Sequence, residues 1–236
     1  MIGEYPKSNS EYCTVHKPLP HYGGTEKGLF LPSHGESRKI GEEIPIEAIP
    51  WPQRNRRDAI IQGHAMPETF QQYRKRTLGY LESMGNRDPI KIQKATPAKL
   101  ERLIKGVPRK ELLRRPARGK WSVLEILGHL ADAELAIAWR LRIILARSGA
   151  PLLWFDQDIW ARKFRYQTRD PRQLLDLFHA IRQSNLELLK SIPRREWGRC
   201  YGIHELRGRQ SVADFVQMEA AHDLNHLRQI EDILGR

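Results

Sequence analysis

The sequence predicts an all-α protein, a four-helix bundle over about residues 88–236 behind a largely irregular N-terminal extension. Three observations lead there. From about Pro67 to the C-terminus, apolar residues recur at three- and four-residue spacing, the period of a helix with one buried face. Several of these runs open on Ser, Thr or Asp with a capping partner or a proline just behind it. Before residue 66, neither a helical period nor strand alternation is present.

Residues 1–65 carry turn-forming runs, such as His21 to Gly24 and Leu31 to Gly35. Pro45, Pro50 and Pro52 oppose a central strand where the apolar content rises. The segment reads as a disordered extension. Met66 stands where the composition changes and reads as an alternative start. Residues 66–87 read as a linking helix with Phe70, Tyr73, Leu78, Tyr80 and Leu81 on one side, ending near Gly85.

The first bundle helix is expected near Thr96-Pro97, with Leu100, Leu103 and Ile104 at core spacing. The second opens on Ser122, whose partner Glu125 completes a capping box. It continues through Leu127, Leu130, Ile137, Leu141 and Ile144 to about Gly149. Residues 151–169 read as a long aromatic loop. Asp170-Pro171 starts the third helix, with Leu174, Leu175, Phe178, Ile181, Leu186 and Leu189 buried and Pro193 as its stop. Residues 194–210 read as an extended crossing. Ser211 and Asp214 then cap a last helix running nearly to Gly235.

Composition bounds the setting. Of 236 residues, 40% are hydrophobic and 29% charged, and no apolar run is long enough to span a bilayer. No secretory signal is visible at the N-terminus. Cys13 and Cys200 are far apart in sequence and form no metal or redox motif, so a disulfide is not expected and a reducing cytoplasm is the simplest setting. The formal net charge is +12. Residues 1–65 hold eight basic and eight acidic residues, so the remainder carries the whole excess. Such a surplus suits nucleic acid, anionic surfaces or acidic small molecules, but it reads first as a solvated basic surface, since no run of like charge concentrates it.

Five of the nine histidines lie beyond the extension. His222 and His226 stand four residues apart on one helix, so their rings project from the same side, roughly 6 Å apart. That side also carries Phe215, Ile230 and Ile233, and is therefore the buried one. His129 lies between Ile126 and Leu130 on an equally apolar helix. Three inward histidines need polar partners, and one shared divalent ion satisfies them together. The competing reading is that each is a core histidine hydrogen-bonded to a neighbour, which is how His179 reads. The pair lacks the adjacent glutamate of a zincin motif, so a metalloprotease is not indicated.

Two segments carry a resemblance. Gly119 to Glu134 (GKWSVLEILGHLADAE) and Ala221 to Ile230 (AHDLNHLRQI) are similar to the two signature segments of the DinB-like superfamily, a damage-inducible family that includes YfiT-like candidate metal-dependent hydrolases. The resemblance covers about residues 88–236. It implies a four-helix bundle with three histidine ligands, one on the second helix and two on the last, which are His129, His222 and His226 here. It also implies a bacterial stress response. The activity implied is hydrolysis or S-transfer with a low-molecular-weight thiol such as bacillithiol or mycothiol.

Three protein ligands would leave an open coordination position on zinc, nickel, iron or copper. Glu219, one turn before His222, and Asp132, one turn after His129, are candidate bases or supports for the ligands. An ordinary pairing with a nearby arginine is the alternative for each. Trp154, Phe155, Asp156 and Trp160 are candidate walls of a small-molecule pocket, or else a cap on the bundle end. A homodimer is compatible with all of this. The leading expectation is a metal-dependent enzyme on a small molecule. The alternative is a nucleic-acid- or anion-binding stress protein with a structural metal.

Overall fold

A computed structural model describes residues 70–204 and 207–236. The extension at 1–65, the start at Met66 and Cys13 lie outside the described residues. The chain forms α1 (Phe70–Met84), α2 (Pro89–Ile104), α3 (Arg109–Leu113), α4 (Val123–Ala146), β1 (Ala150–Leu152), α5 (Gln157–Lys163), α6 (Pro171–Ser191), β2 (Tyr201–His204), β3 (Gly208–Ser211) and α7 (Val212–Leu234). Helices α2, α4, α6 and α7 make the bundle. The pairs with the most contact are α4 with α6 and α2 with α7, and α1 lies along α7. Among the described residues no helix is long and apolar enough to cross a membrane.

The helix starts follow local chemistry. The Ser122 hydroxyl accepts from the Glu125 N–H, and the Glu125 carboxylate accepts from the Ser122 N–H. Ser211 and Asp214 form the second expected capping box in the same way. Asp170 accepts from the N–H groups of Arg172 and Gln173. The first bundle helix differs from expectation. It starts at Asp88-Pro89 rather than at Thr96-Pro97, and Asp88 accepts from the N–H groups of Ile90 and Lys91. Both dipeptides carry the same start signal. The upstream one wins because the buried stripe already begins at Ile92.

Thr96 is fully buried inside α2 and returns its hydroxyl to the Ile92 carbonyl at 3.0 Å. Pro97 has no N–H to give to the carbonyl of Gln93, one turn back. That carbonyl instead accepts from the guanidinium of Arg182 at 3.2 Å.

Arg182 is 1% exposed and sits at the centre of the bundle. It donates to both carboxylate oxygens of Asp223, at 2.5 and 3.0 Å, and to Glu134 at 2.7 Å. Asn185 donates to the other Glu134 oxygen at 2.7 Å. Gln93 donates its side-chain amide to the Val216 carbonyl at 2.7 Å. One polar cluster thus ties α2, α4, α6 and α7 together. Burial alone would lower the pKa of Arg182, but the charges of Asp223 and Glu134 raise it above its ordinary value, so it stays charged. Apolar layers lie on either side of the cluster, one including Leu124, Leu127, Phe178 and Ile230, the other Leu141, Ile144, Trp197 and Phe215.

The two long connections are more ordered than expected. The segment read as an aromatic loop contains β1, α5 and a 3-10 turn at Tyr166–Thr168. The segment read as an extended crossing contains β2 and β3. β2 pairs in parallel with β1 and antiparallel with β3, giving a small sheet in the order β1-β2-β3. Gly202 permits this: a Cβ there would lie 2.7 Å from Leu152 and 2.8 Å from Ile144. Cys200 is fully buried beside this sheet.

Candidate metal centre

His129 projects from the second turn of α4, a stretch in which every residue from Val123 to Ala131 is buried. His222 and His226 project from the middle of α7. His222 Nε2 lies 3.0 Å from His129 Nε2 and 3.0 Å from His226 Nε2. The three ligand atoms lie within 4.8 Å of one another. An ion about 2.0–2.1 Å from each nitrogen would need separations of roughly 3.3 Å, so small ring rotations suffice.

The donor set fits a cation. The His226 Nδ1 lies 2.9 Å from the Gln229 side-chain oxygen. An amide oxygen only accepts, so Nδ1 carries the proton and Nε2 presents its lone pair toward the cluster. A shared ion satisfies all three lone pairs, whereas one ring nitrogen cannot serve two neighbours equally by hydrogen bonding. Trp121 covers the rings, 4.8 Å from His129 and stacked at 6.4 Å on His226.

Glu219 places an oxygen 4.0 Å from His222 Nδ1. Burial, with the nearby charge of Glu134, pushes its carboxyl up to about 8, against the opposing pull of Arg182. Asp132 is committed elsewhere: it accepts from the Tyr166 hydroxyl at 2.5 Å. Burial and that bond hold the Tyr166 phenol above its ordinary pKa, so it remains a donor. The Tyr166 ring lies directly on Gly128, where a Cβ would collide with it.

The aromatic residues of the 151–169 segment form a ladder. Phe155 stacks on Trp160 at 4.2 Å, Trp160 meets Phe164 at 5.3 Å, and Phe164 meets Tyr166 at 6.4 Å. This ladder reaches α4 through Tyr166, next to His129. Trp154, the residue before Phe155, is half-buried. Asp156 caps α5 through one carboxylate oxygen, accepting from the N–H groups of Asp158 and Ile159. His179 is exposed on α6, not a core residue, because its position falls just off the buried stripe that includes Phe178. Sequence reasoning does not single out Trp121, Gln229 or Tyr166 as parts of the centre. Trp121 and Gln229 do lie inside the two signature segments.

The sequence profile of the DinB superfamily matches residues 93–230, which contain all three histidines. The chain belongs to the DinB superfamily. YfiT of Bacillus subtilis, designated a candidate metal-dependent hydrolase, is 20% identical over 147 residues, 62% of this chain and 83% of YfiT. Designated candidate metal-dependent hydrolases of Oceanobacillus iheyensis and Halalkalibacterium halodurans are 25% identical over 126 residues and 24% over 150 residues. These alignments cover 53% and 62% of this chain, and 71% and 85% of the two relatives. The solved structure of YfiT, described as a probable metal-dependent hydrolase with an unusual four-helix bundle topology, superposes with a TM-score of 0.58 at 19% identity. The match covers 61% of this chain and 83% of YfiT, and shows that the two share a fold.

Proposed function

We propose that this member of the DinB superfamily is a metal-dependent enzyme acting on a small molecule, by hydrolysis or by transfer of a low-molecular-weight thiol. The reading is carried by the convergence of three imidazole nitrogens, from α4 and α7, in a group that holds no fourth protein ligand among the described residues. Three ligands leave a position for a reacting molecule, whereas structural zinc sites are closed by four. A divalent ion held by His129, His222 and His226 would supply Lewis acidity, making a nucleophile available near neutral pH.

The chain's own residues have separable tasks. Gln229 fixes the tautomer of His226, and Trp121 shields the ligand rings from water. Glu219, beside His222, is placed to orient that ring or to take a proton from a nucleophile. Tyr166 holds Asp132 and packs the aromatic ladder against α4.

The test is elemental analysis of the purified chain, then a screen of ester, amide and thiol-consuming reactions with and without chelator. Turnover that chelation abolishes and a divalent ion restores supports the proposal. A stoichiometric ion with no turnover in any arm, and no exchange of small ligands at the ion, favours a structural metal and overturns it.

A further inference from the structure

We propose that this protein has a second ligand site, separate from the histidine centre, that takes a small polyphosphate. A cavity of about 570 Å³ lies between α2 and α7, near the end of α1. Its rim carries Arg87, Lys99, Arg102, Arg228 and Arg236, and its one acid is Glu231. Three leucines form the rest of the lining. Arg228 lies two residues beyond His226, about 200° around α7, so this cavity opens on the side of the helix away from the histidines.

The five cations are not used to hold the fold together by charge. Among the described residues none of them has a carboxylate oxygen within 4.0 Å. Arginines elsewhere do pair, as Arg172 does with Glu101 at 2.8 Å and Arg114 with Glu111 at 3.0 Å. Two of the five are also positioned. Arg87 donates to the Met84 carbonyl at 2.8 Å and the Ser83 carbonyl at 2.6 Å, and Arg236 donates to the Leu103 carbonyl at 2.7 Å. Their guanidinium groups are therefore held at the rim with further N–H groups to offer.

Five positive side chains against one acidic side chain suit a ligand with about three negative charges. Arginine forks match phosphate oxygens in pairs. The volume is that of a small-molecule pocket, and the lining has no aromatic ring on which a nucleic-acid base would stack. A compact di- or triphosphate fits these facts better than a nucleic-acid strand.

The experiment is calorimetric titration of the full chain with sodium pyrophosphate. One variant is Arg102→Gln with Arg228→Gln, two exposed side chains without hydrogen bonds to lose. The control is Arg162→Gln with Lys163→Gln, an equal loss of exposed charge on α5. The expected result is saturable binding by wild type and control, and binding at least about tenfold weaker in the first variant. Equal weakening in both variants would show a diffuse charge effect and overturn the site. Binding untouched by the first variant, as chelation of a metal would be, also overturns it. So would a single-stranded oligonucleotide that binds more tightly than pyrophosphate and competes with it. No arm depends on catalysis, so failure here leaves the proposed function standing.

Discussion

Replacing Arg182 with leucine should cost as much stability as the largest apolar truncations in the bundle. The guanidinium is the shared partner of Asp223 and Glu134, and all three side chains are at most 3% exposed. Removing it leaves two buried carboxylates uncompensated, and breaking a buried pair from one side typically costs about 3–5 kcal/mol. For a domain of this size each kcal/mol shifts the melting temperature by roughly 2–4 °C, so the expected fall is about 6–20 °C. Urea unfolding at pH 7 measures it directly, with the midpoint lowered and the slope unchanged. Adding Glu134→Gln and Asp223→Asn to the Arg182→Leu variant should recover part of the loss, since buried amides cost less than buried charges. A loss under about 1 kcal/mol, or a deeper loss after neutralisation, would refute the view that this cluster pins the four helices.

Gln229→Ala should weaken metal binding by about 10–100-fold, read by competition with a chromogenic chelator, because His226 loses the partner that fixes its tautomer. Unchanged affinity would remove Gln229 from the centre. Gly128→Ala should cost about 1–3 kcal/mol by forcing Tyr166 off α4, and Tyr166→Ala in the same chain should relieve that conflict. An alanine tolerated without loss would show that the ring does not rest there. His204 is 1% exposed, and burial, reinforced by Arg207 and Arg140, holds its pKa down at about 3 against an ordinary 6.5. The unfolded chain then binds a proton that the folded chain refuses, so stability falls as pH drops below about 6.5. Between pH 7 and 5, wild type should lose up to about 2 kcal/mol more than His204→Gln, measured by urea unfolding. Parallel losses in the two proteins would contradict that reading.

Much of the fold was legible because caps and periodicity are local. Ser122 with Glu125, Asp170 with Pro171 and Ser211 with Asp214 each start a helix where the sequence places them. Thr96-Pro97 misled because a cap-plus-proline signal is read without knowing what takes the freed carbonyl. Here that partner is Arg182, 89 residues away in sequence from Gln93. The strands β1, β2 and β3 are three or four residues long and include Pro151 and Gly202, too short and too irregular to show alternation. The candidate ligand histidines were legible because they combine helical spacing with an apolar face. Gln229 and Tyr166 were not, because a polar side chain at a helix surface and a tyrosine in a connection gain their roles only from tertiary contact.

Everything proposed for the histidine centre requires that His129, His222 and His226 hold one divalent ion between α4 and α7. Metal content per chain decides it, measured by mass spectrometry on wild type and on His129→Ala, His222→Ala, His226→Ala and His179→Ala. About one ion is expected in wild type and in His179→Ala, whose exposed ring lies on α6, and almost none in the other three. Full metal content in any of those three variants, or its loss in His179→Ala alone, would show that the ion is held elsewhere.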